Sequence, residues 1–145
     1  MILYLDTSAL VKLYVREPGS ALLHAFASTA DALSTSAVAY AEARAAFGRL
    51  EREGTTSRSR HQQRLKQFES DWEALLRVDL VPEVLRSAGN LAETYALRGF
   101  DSIHLASALW LKERASMPVN FAVFDRRLAV AASKAGLLIV PNSKT

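Results

Sequence analysis

The 145-residue chain contains no cysteine, which excludes disulfide bonds and zinc sites built on thiolates and is typical of a reducing compartment. It also lacks a long apolar run. The N-terminal stretch "MILYLDTSALVKLYV" has no basic leader and is interrupted by Asp6, so it does not predict a signal peptide or a membrane span. We therefore expect a cytoplasmic protein without a membrane partner.

Several catalytic motifs are missing as well. The sequence has no Walker loop, no GxGxxG and no pattern typical of a Ser/His/Asp or Cys/His nucleophile. Its three histidines, His24, His61 and His104, do not have zinc-ligand spacing, and we interpret His104 as a structural residue of an apolar helix. Trp72 and Trp110 stand at helical spacing with other apolar residues and are interpreted as core or interface residues rather than base-stacking platforms.

Short strand-like runs alternate with helical patterns along the whole chain. Half of the residues are hydrophobic, which is typical of a globular protein. We predict an α/β fold: one compact domain over residues 1–145, with a mainly parallel sheet of about four or five strands flanked by helices. The predicted strands are 2–5, 32–35, 77–81, 120–124 and 137–140. The predicted helices are 9–15, 20–27, 37–53 with Ser36 as N-cap, 58–76, 83–97, 101–114 and 125–135.

Four carboxylates stand where such a fold usually has its site. Asp6 and Asp125 follow strands, Asp101 begins a helix, and Glu42 lies within two turns of a helix start. Each aspartate has a second interpretation as a helix N-cap. Glu42 is predicted too deep for a cap, on the apolar face with Val38, Ala45 and Ala46. It is therefore a metal ligand, a buried partner of an arginine, or more exposed than predicted.

Four converging carboxylates would repel one another unless a divalent cation lies among them, and no nearby lysine or arginine is dictated by the sequence. Ligation by oxygen alone favours Mg²⁺ or Mn²⁺. Such an ion can activate water for attack on a phosphodiester. Ser8, two residues after Asp6, either assists a metal-bound water or caps the helix.

Positive charge is concentrated in one segment. Residues 44–66 contain seven basic and two acidic side chains, so this segment is more positive than the whole chain, whose net charge is +3. A nucleic acid could use such a stripe, although solvated helix faces have the same composition.

Four stretches resemble the PIN-domain family, and specifically the VapC toxins of VapBC toxin–antitoxin pairs. They are "YLDTSALVKLY", "STSAVAYAEARAAF", "LRGFDSIHLASAL" and "FAVFDRRLAVAASKAGLLIV", in this order and spread over nearly the whole chain. The resemblance implies an α/β/α fold and an Mg²⁺- or Mn²⁺-dependent endoribonuclease. Asp6, Glu42, Asp101 and Asp125 would be its metal-binding and catalytic acids, with Ser8 as an auxiliary polar group.

The resemblance also implies partners. These are RNA as substrate, a second copy of the chain in a homodimer, and a VapB-like antitoxin. The antitoxin's C-terminal segment would cover the acids, often with a basic side chain, and could link the pair to operator DNA. Two positions depart from the family: Val123 replaces a threonine or serine, and Ser102 replaces an alanine. We therefore place Asp125 as a supporting or second-metal ligand.

Two alternatives stay open, and the RNA-binding surface is a separate hypothesis. One alternative is a non-catalytic PIN-like module that binds RNA or protein. The other is a phosphatase of the haloacid-dehalogenase type, which expects a second aspartate where this chain has Ser8. For the RNA contact we select Arg58, Arg60 and Arg64, which a dimer or an antitoxin could equally use.

Overall fold

The computed structural model describes residues 1–141, which form one α/β domain. The strands are β1 Ile2–Leu5, β2 Ala32–Ser36, β3 Leu76–Val78, β4 Val119–Ala122 and β5 Leu138–Val140. The helices are α1 Thr7–Lys12, α2 Ser20–Thr29, α3 Ala39–Arg52, α4 Arg58–Ala74, α5 Pro82–Tyr95, α6 Gly99–Arg114 and α7 Arg126–Lys134. Across residues 1–141, no helix is long and apolar enough to cross a membrane.

All five strands belong to one sheet with the order β3-β2-β1-β4-β5, and every neighbouring pair is parallel. The central strand β1 reads "ILYL" and is buried at all four positions, as expected of a parallel strand covered on both faces. Its last residue, Leu5, is in register with Ala122 of β4. The predicted fold class is confirmed.

Helices cover the two faces of the sheet and bury a separate apolar cluster on each. Because side chains alternate along a strand, Tyr4 of β1 packs with α5, α6 and α7, whereas Leu5 packs with α1, α3 and α4. Trp110 packs against the first cluster and Trp72 against the second, as interpreted from the sequence. Helices therefore cover both faces of the sheet, and the carboxyl ends of the strands are left for a functional site.

Several predicted boundaries differ from the observed ones. Ser36 does not cap α3; it is the last residue of β2, and its hydroxyl accepts a long 3.3 Å bond from the amide of Val38. Leu76 belongs to β3 rather than to α4 because it pairs with Ser34, whose hydroxyl also donates to the Leu76 carbonyl. Helix α1 ends at Lys12, earlier than predicted, and α6 begins at Gly99 rather than Asp101.

Candidate active site

Asp6 directly follows the central strand and is the N-cap of α1. Its Oδ1 accepts 2.9 Å hydrogen bonds from the amide of Ala9 and from the hydroxyl of Ser8. The residue is only 4% exposed, and this burial raises the pKa of its carboxyl above the ordinary value, against the lowering effect of His104. Asp6 is thus both a cap and a buried carboxylate at the carboxyl edge of the sheet.

Glu42 lies in the first turn of α3, on the flank of the buried face. The predicted apolar face was wrong, because α3 packs through Ala39, Ala43 and Phe47, whereas Ala45 is exposed. The Glu42 side chain is 26% exposed, so it reaches solvent while it contacts neighbouring elements. In the first turn a carboxylate is favoured by the helix dipole, so it is not a misplaced charge.

Three side chains hold Glu42 in a network that the sequence analysis missed. Thr7 Oγ1 donates to Glu42 Oε1 over 2.6 Å, and His104 Nε2 lies 3.2 Å from the same oxygen. The hydroxyl of Tyr4 lies 2.9 Å from Nδ1 on the other side of the imidazole. Because a carboxylate can only accept, Nε2 donates to Glu42, and Thr7 Oγ1 lies 2.9 Å from the same nitrogen.

This network sets the protonation of Glu42. Burial works to raise the pKa of Glu42, but the hydrogen bonds from His104 and Thr7 outweigh burial and hold that pKa below its ordinary value. Glu42 is therefore an anion at neutral pH. The interpretation of His104 as merely structural was incomplete: it is 2% exposed, as expected of a core residue, but it also positions Glu42.

Asp101 lies in the first turn of α6 and is paired with an arginine. Arg98, the N-cap residue of α6, donates from Nε to Asp101 Oδ2 over 2.9 Å. The sequence analysis did not foresee a cation beside the acids. Ser102, which departs from the family pattern, is buried and donates to the carbonyl of Gly99 over 2.7 Å, so the local backbone absorbs its hydroxyl.

Asp125 follows β4, the strand beside β1, and caps α7. Its Oδ1 accepts from the amide of Leu128 over 2.8 Å, which is the capping role considered for it. Asp125 is exposed, and Val123 before it is 2% exposed, so that position offers no polar group. Of the four acids, Asp125 lies farthest toward solvent.

Two of the four acids line one pocket at the carboxyl edge of the sheet. Glu42 and Asp101 line a pocket of about 540 Å³ together with Arg98, Phe100 and two other residues. Asp6 is near enough for the charge of Asp101 to contribute to its raised pKa. Within residues 1–141, no three histidine, aspartate or glutamate side chains are grouped so that they could hold a metal ion.

The donor chemistry of the four acids nevertheless suits Mg²⁺ or Mn²⁺. Each acid uses one carboxylate oxygen in the hydrogen bonds described above, and its second oxygen accepts none from residues 1–141. Hard carboxylate oxygens are the ligands that these ions prefer, and the chain has no thiolate to favour zinc. The residues present fit a hard divalent cation.

The arginines selected for RNA lie on α4 and are partly engaged within the protein. Arg58 pairs with Glu51 over 2.6 Å. Arg64 donates from Nε to the carbonyl of Tyr14 and lies over a phenylalanine ring. Arg60 is exposed and has no acidic partner within residues 1–141. Two of the three guanidinium groups therefore already have partners inside the molecule.

Comparisons with known proteins agree with this architecture. The family profile described as PIN domain matches residues 3–134. Ribonuclease VapC45 of Mycobacterium tuberculosis is 39% identical over 140 residues, which cover 97% of this chain and 95% of that protein.

Two solved structures share the fold. A toxin–antitoxin complex from Klebsiella pneumoniae superposes with a TM-score of 0.62 and 13% identity, over 85% of this chain and 86% of that one. VapBC2 from Rickettsia felis, bound to a DNA fragment from its promoter, superposes with a TM-score of 0.58 and 18% identity, over 96% and 97% of the two chains.

Proposed function

Because the chain belongs to the PIN-domain family, we propose that it is a metal-dependent endoribonuclease, the toxin of a type II toxin–antitoxin pair. The observation that carries the proposal is the pocket shared by Glu42 and Asp101 beside Asp6, at the carboxyl edge of a parallel sheet. The name of VapC45, a ribonuclease, supports the same activity. Because the chain belongs to the PIN-domain family, we no longer consider the phosphatase of the haloacid-dehalogenase type.

Each acid has a role in this proposal. Asp6, Glu42 and Asp101 would hold Mg²⁺ or Mn²⁺, and Asp125 would support them. When bound, the ion supplies an activated water and stabilises charge on the phosphate, which yields 5′-phosphate and 3′-hydroxyl ends. Ser8 fixes one oxygen of Asp6, and His104 with Thr7 keeps Glu42 ionised and oriented. These contacts preorganise the acids before the substrate arrives.

The proposal includes partners. A VapB-like antitoxin would cover the acid pocket with a basic side chain and connect the pair to operator DNA. A homodimer and action in the cytoplasm, where RNA is available, belong to the same proposal. The similarity of this chain to a toxin–antitoxin complex and to VapBC2 bound to promoter DNA supports the antitoxin as a partner.

One observation favours a second candidate, a non-catalytic PIN-like binding module. Within the part of the chain that the structure describes, the acids are not grouped tightly enough for a metal site. Calorimetric titration with Mn²⁺ separates the two functions. A nuclease binds the ion, and Asp6→Asn weakens binding, whereas a binding module shows no saturable heat with either protein.

The experiment for the nuclease is cleavage of a labelled single-stranded RNA by the purified protein. We expect cleavage with Mg²⁺ or Mn²⁺, none in excess EDTA, and none by Asp6→Asn. The matched control is Asp31→Asn, at the opposite edge of the sheet, where the exposed carboxylate pairs with the N-terminus. Cleavage by the Asp6→Asn protein at the wild-type rate would refute the assignment.

A further inference from the structure

A groove of about 610 Å³ lies outside the acid pocket, between the end of α5 and the exposed face of α7. One wall carries Arg126, Arg127 and Lys134 from α7, and the other carries Thr94 and Tyr95 from α5. Among residues 1–141, no acidic residue lines it. The groove is therefore a concave, cationic surface of a size that admits a segment of polymer.

The three cationic side chains of this groove have no bonding partner within the described residues. Within residues 1–141, Arg126, Arg127 and Lys134 form no ion pair and no side-chain hydrogen bond. Other cations are unpaired within the same residues, as at Arg60, so what distinguishes these three is that they line one groove. Charges that are exposed, clustered and unpaired repel one another, and a polyanion relieves that repulsion.

Both walls of the groove are close in sequence to the acids of the candidate site. Arg126 follows Asp125 directly in the sequence. The wall at Thr94 and Tyr95 continues within a few residues to Arg98 and Asp101, which line the pocket. Both walls of the groove are therefore next in sequence to residues of the candidate site.

The acid pocket by itself opposes a polyanion, because phosphates and carboxylates repel each other. A nuclease must hold the rest of the strand with cations outside the pocket. From the charge, the shape and the continuity of the groove, we propose that Arg126, Arg127 and Lys134 bind the phosphodiester backbone of single-stranded RNA next to the scissile bond. This inference rests on the proposed function. It moves the RNA contact from α4 to α7.

The groove cations would bind phosphate groups and not bases, so RNA binding by the groove should not depend on sequence and should weaken as the salt concentration rises. For a single strand, each neutralised phosphate contributes about 0.7 to the slope of log affinity against log salt. Removal of three contacts should lower that slope by about 2 and weaken binding at 0.1 M salt by roughly 10- to 100-fold.

The test measures binding of a labelled single-stranded RNA in EDTA, by fluorescence anisotropy between 50 and about 300 mM salt. The groove variant is Arg126→Ala/Arg127→Ala/Lys134→Ala, whose side chains are exposed, so its folding should be intact. The matched control removes three other exposed charges that have no ion pair within the described residues 1–141: Arg16→Ala/Arg52→Ala/Lys66→Ala. A third protein, Arg58→Ala/Arg60→Ala, tests the surface on α4.

We expect the groove variant alone to lose about two units of salt slope, and to cleave RNA with a raised KM and a nearly unchanged kcat. An equal loss in the matched control, or a loss confined to the α4 variant, would overturn the groove assignment. So would a groove variant that keeps its RNA affinity.

The same assays separate this inference from the proposed function. If the wild-type protein binds RNA through the groove but does not cleave it with Mg²⁺ or Mn²⁺, the groove stands and the nuclease proposal fails. If it cleaves RNA while the groove variant keeps the wild-type KM and salt slope, the nuclease proposal stands and the groove assignment fails.

Discussion

His104 Nε2 lies 3.2 Å from Oε1 of Glu42, and this contact joins α6 to α3 across the carboxyl edge of the sheet. The imidazole is 2% exposed, whereas the carboxylate is half-buried and faces the acid pocket. The buried imidazole of His104 thus orients the solvent-accessible carboxylate of Glu42. The predictions below follow from this division between residues that support the pocket and residues that face it.

His104→Ala should lower RNA cleavage by about 10- to 100-fold and weaken Mn²⁺ binding, because Glu42 loses a hydrogen bond that orients it. The control is Leu105→Ala, its fully buried neighbour on α6, which should cost about 2–5 kcal/mol of stability without a change in metal affinity of the folded protein. Calorimetry and thermal melting measure both effects. Equal metal affinity in wild type and His104→Ala would show that the histidine only fills the core.

Glu42→Gln should abolish most activity but change stability by less than about 1 kcal/mol. The glutamine carbonyl can still accept from Thr7, and the position is partly solvated. Urea unfolding and the RNA assay measure the two effects, with Glu69→Gln as the control for an exposed glutamate on α4 that pairs with Arg44. Severe unfolding of Glu42→Gln would indicate a buried ion pair rather than a ligand.

Arg98→Ala should strengthen Mn²⁺ binding several-fold, because Arg98 neutralises Asp101 and competes with an added cation. The ion pair is exposed, so the loss of stability should be below about 1 kcal/mol. Calorimetric titration at low salt measures the affinity. Arg114→Ala, which breaks an exposed pair with Glu83, is the control. Weaker metal binding by the Arg98 variant would contradict this role.

Phe100→Ala should raise the KM for RNA by roughly 5- to 100-fold while leaving stability unchanged. Phe100 is 56% exposed on the rim of the acid pocket, where its ring contributes little to the core and can stack on a base. Base stacking on an aromatic ring is worth about 1–3 kcal/mol. Leu138→Ala, another exposed apolar residue, is the control. An unchanged KM would exclude stacking.

The sequence was sufficient for the parallel α/β fold and for the placement of Asp6 and Asp125, because strand ends and N-caps are local features. Both aspartates are N-caps of helices, and the strands that precede them, β1 and β4, are neighbours in the sheet. Helix faces were harder to predict. Glu42 was placed on the buried face of α3, but the sheet selects the stripe through Ala39 and Ala43, and that choice depends on tertiary packing.

The sequence analysis did not predict most of the residues that orient the acids of the pocket. His104 stands three residues after Asp101, so both share one side of α6, and this spacing was the available signal. Arg98, three residues before Asp101, was visible in the same way. The contacts of Thr7 and Tyr4 with His104 join β1 and α1 to α6 over about a hundred residues of sequence, a distance over which no local pattern carries information.

The central claim is that the carboxylates act through a divalent cation on RNA. The most direct measurement is the cleavage rate of one 5′-labelled RNA as Mg²⁺ is added back to protein stripped with EDTA, for wild type and Asp101→Asn. We expect no cleavage without metal, a saturable return of activity in the wild type with 3′-hydroxyl ends, and no return in the variant. Cleavage that persists in EDTA, or equal rates for the two proteins, would contradict the account.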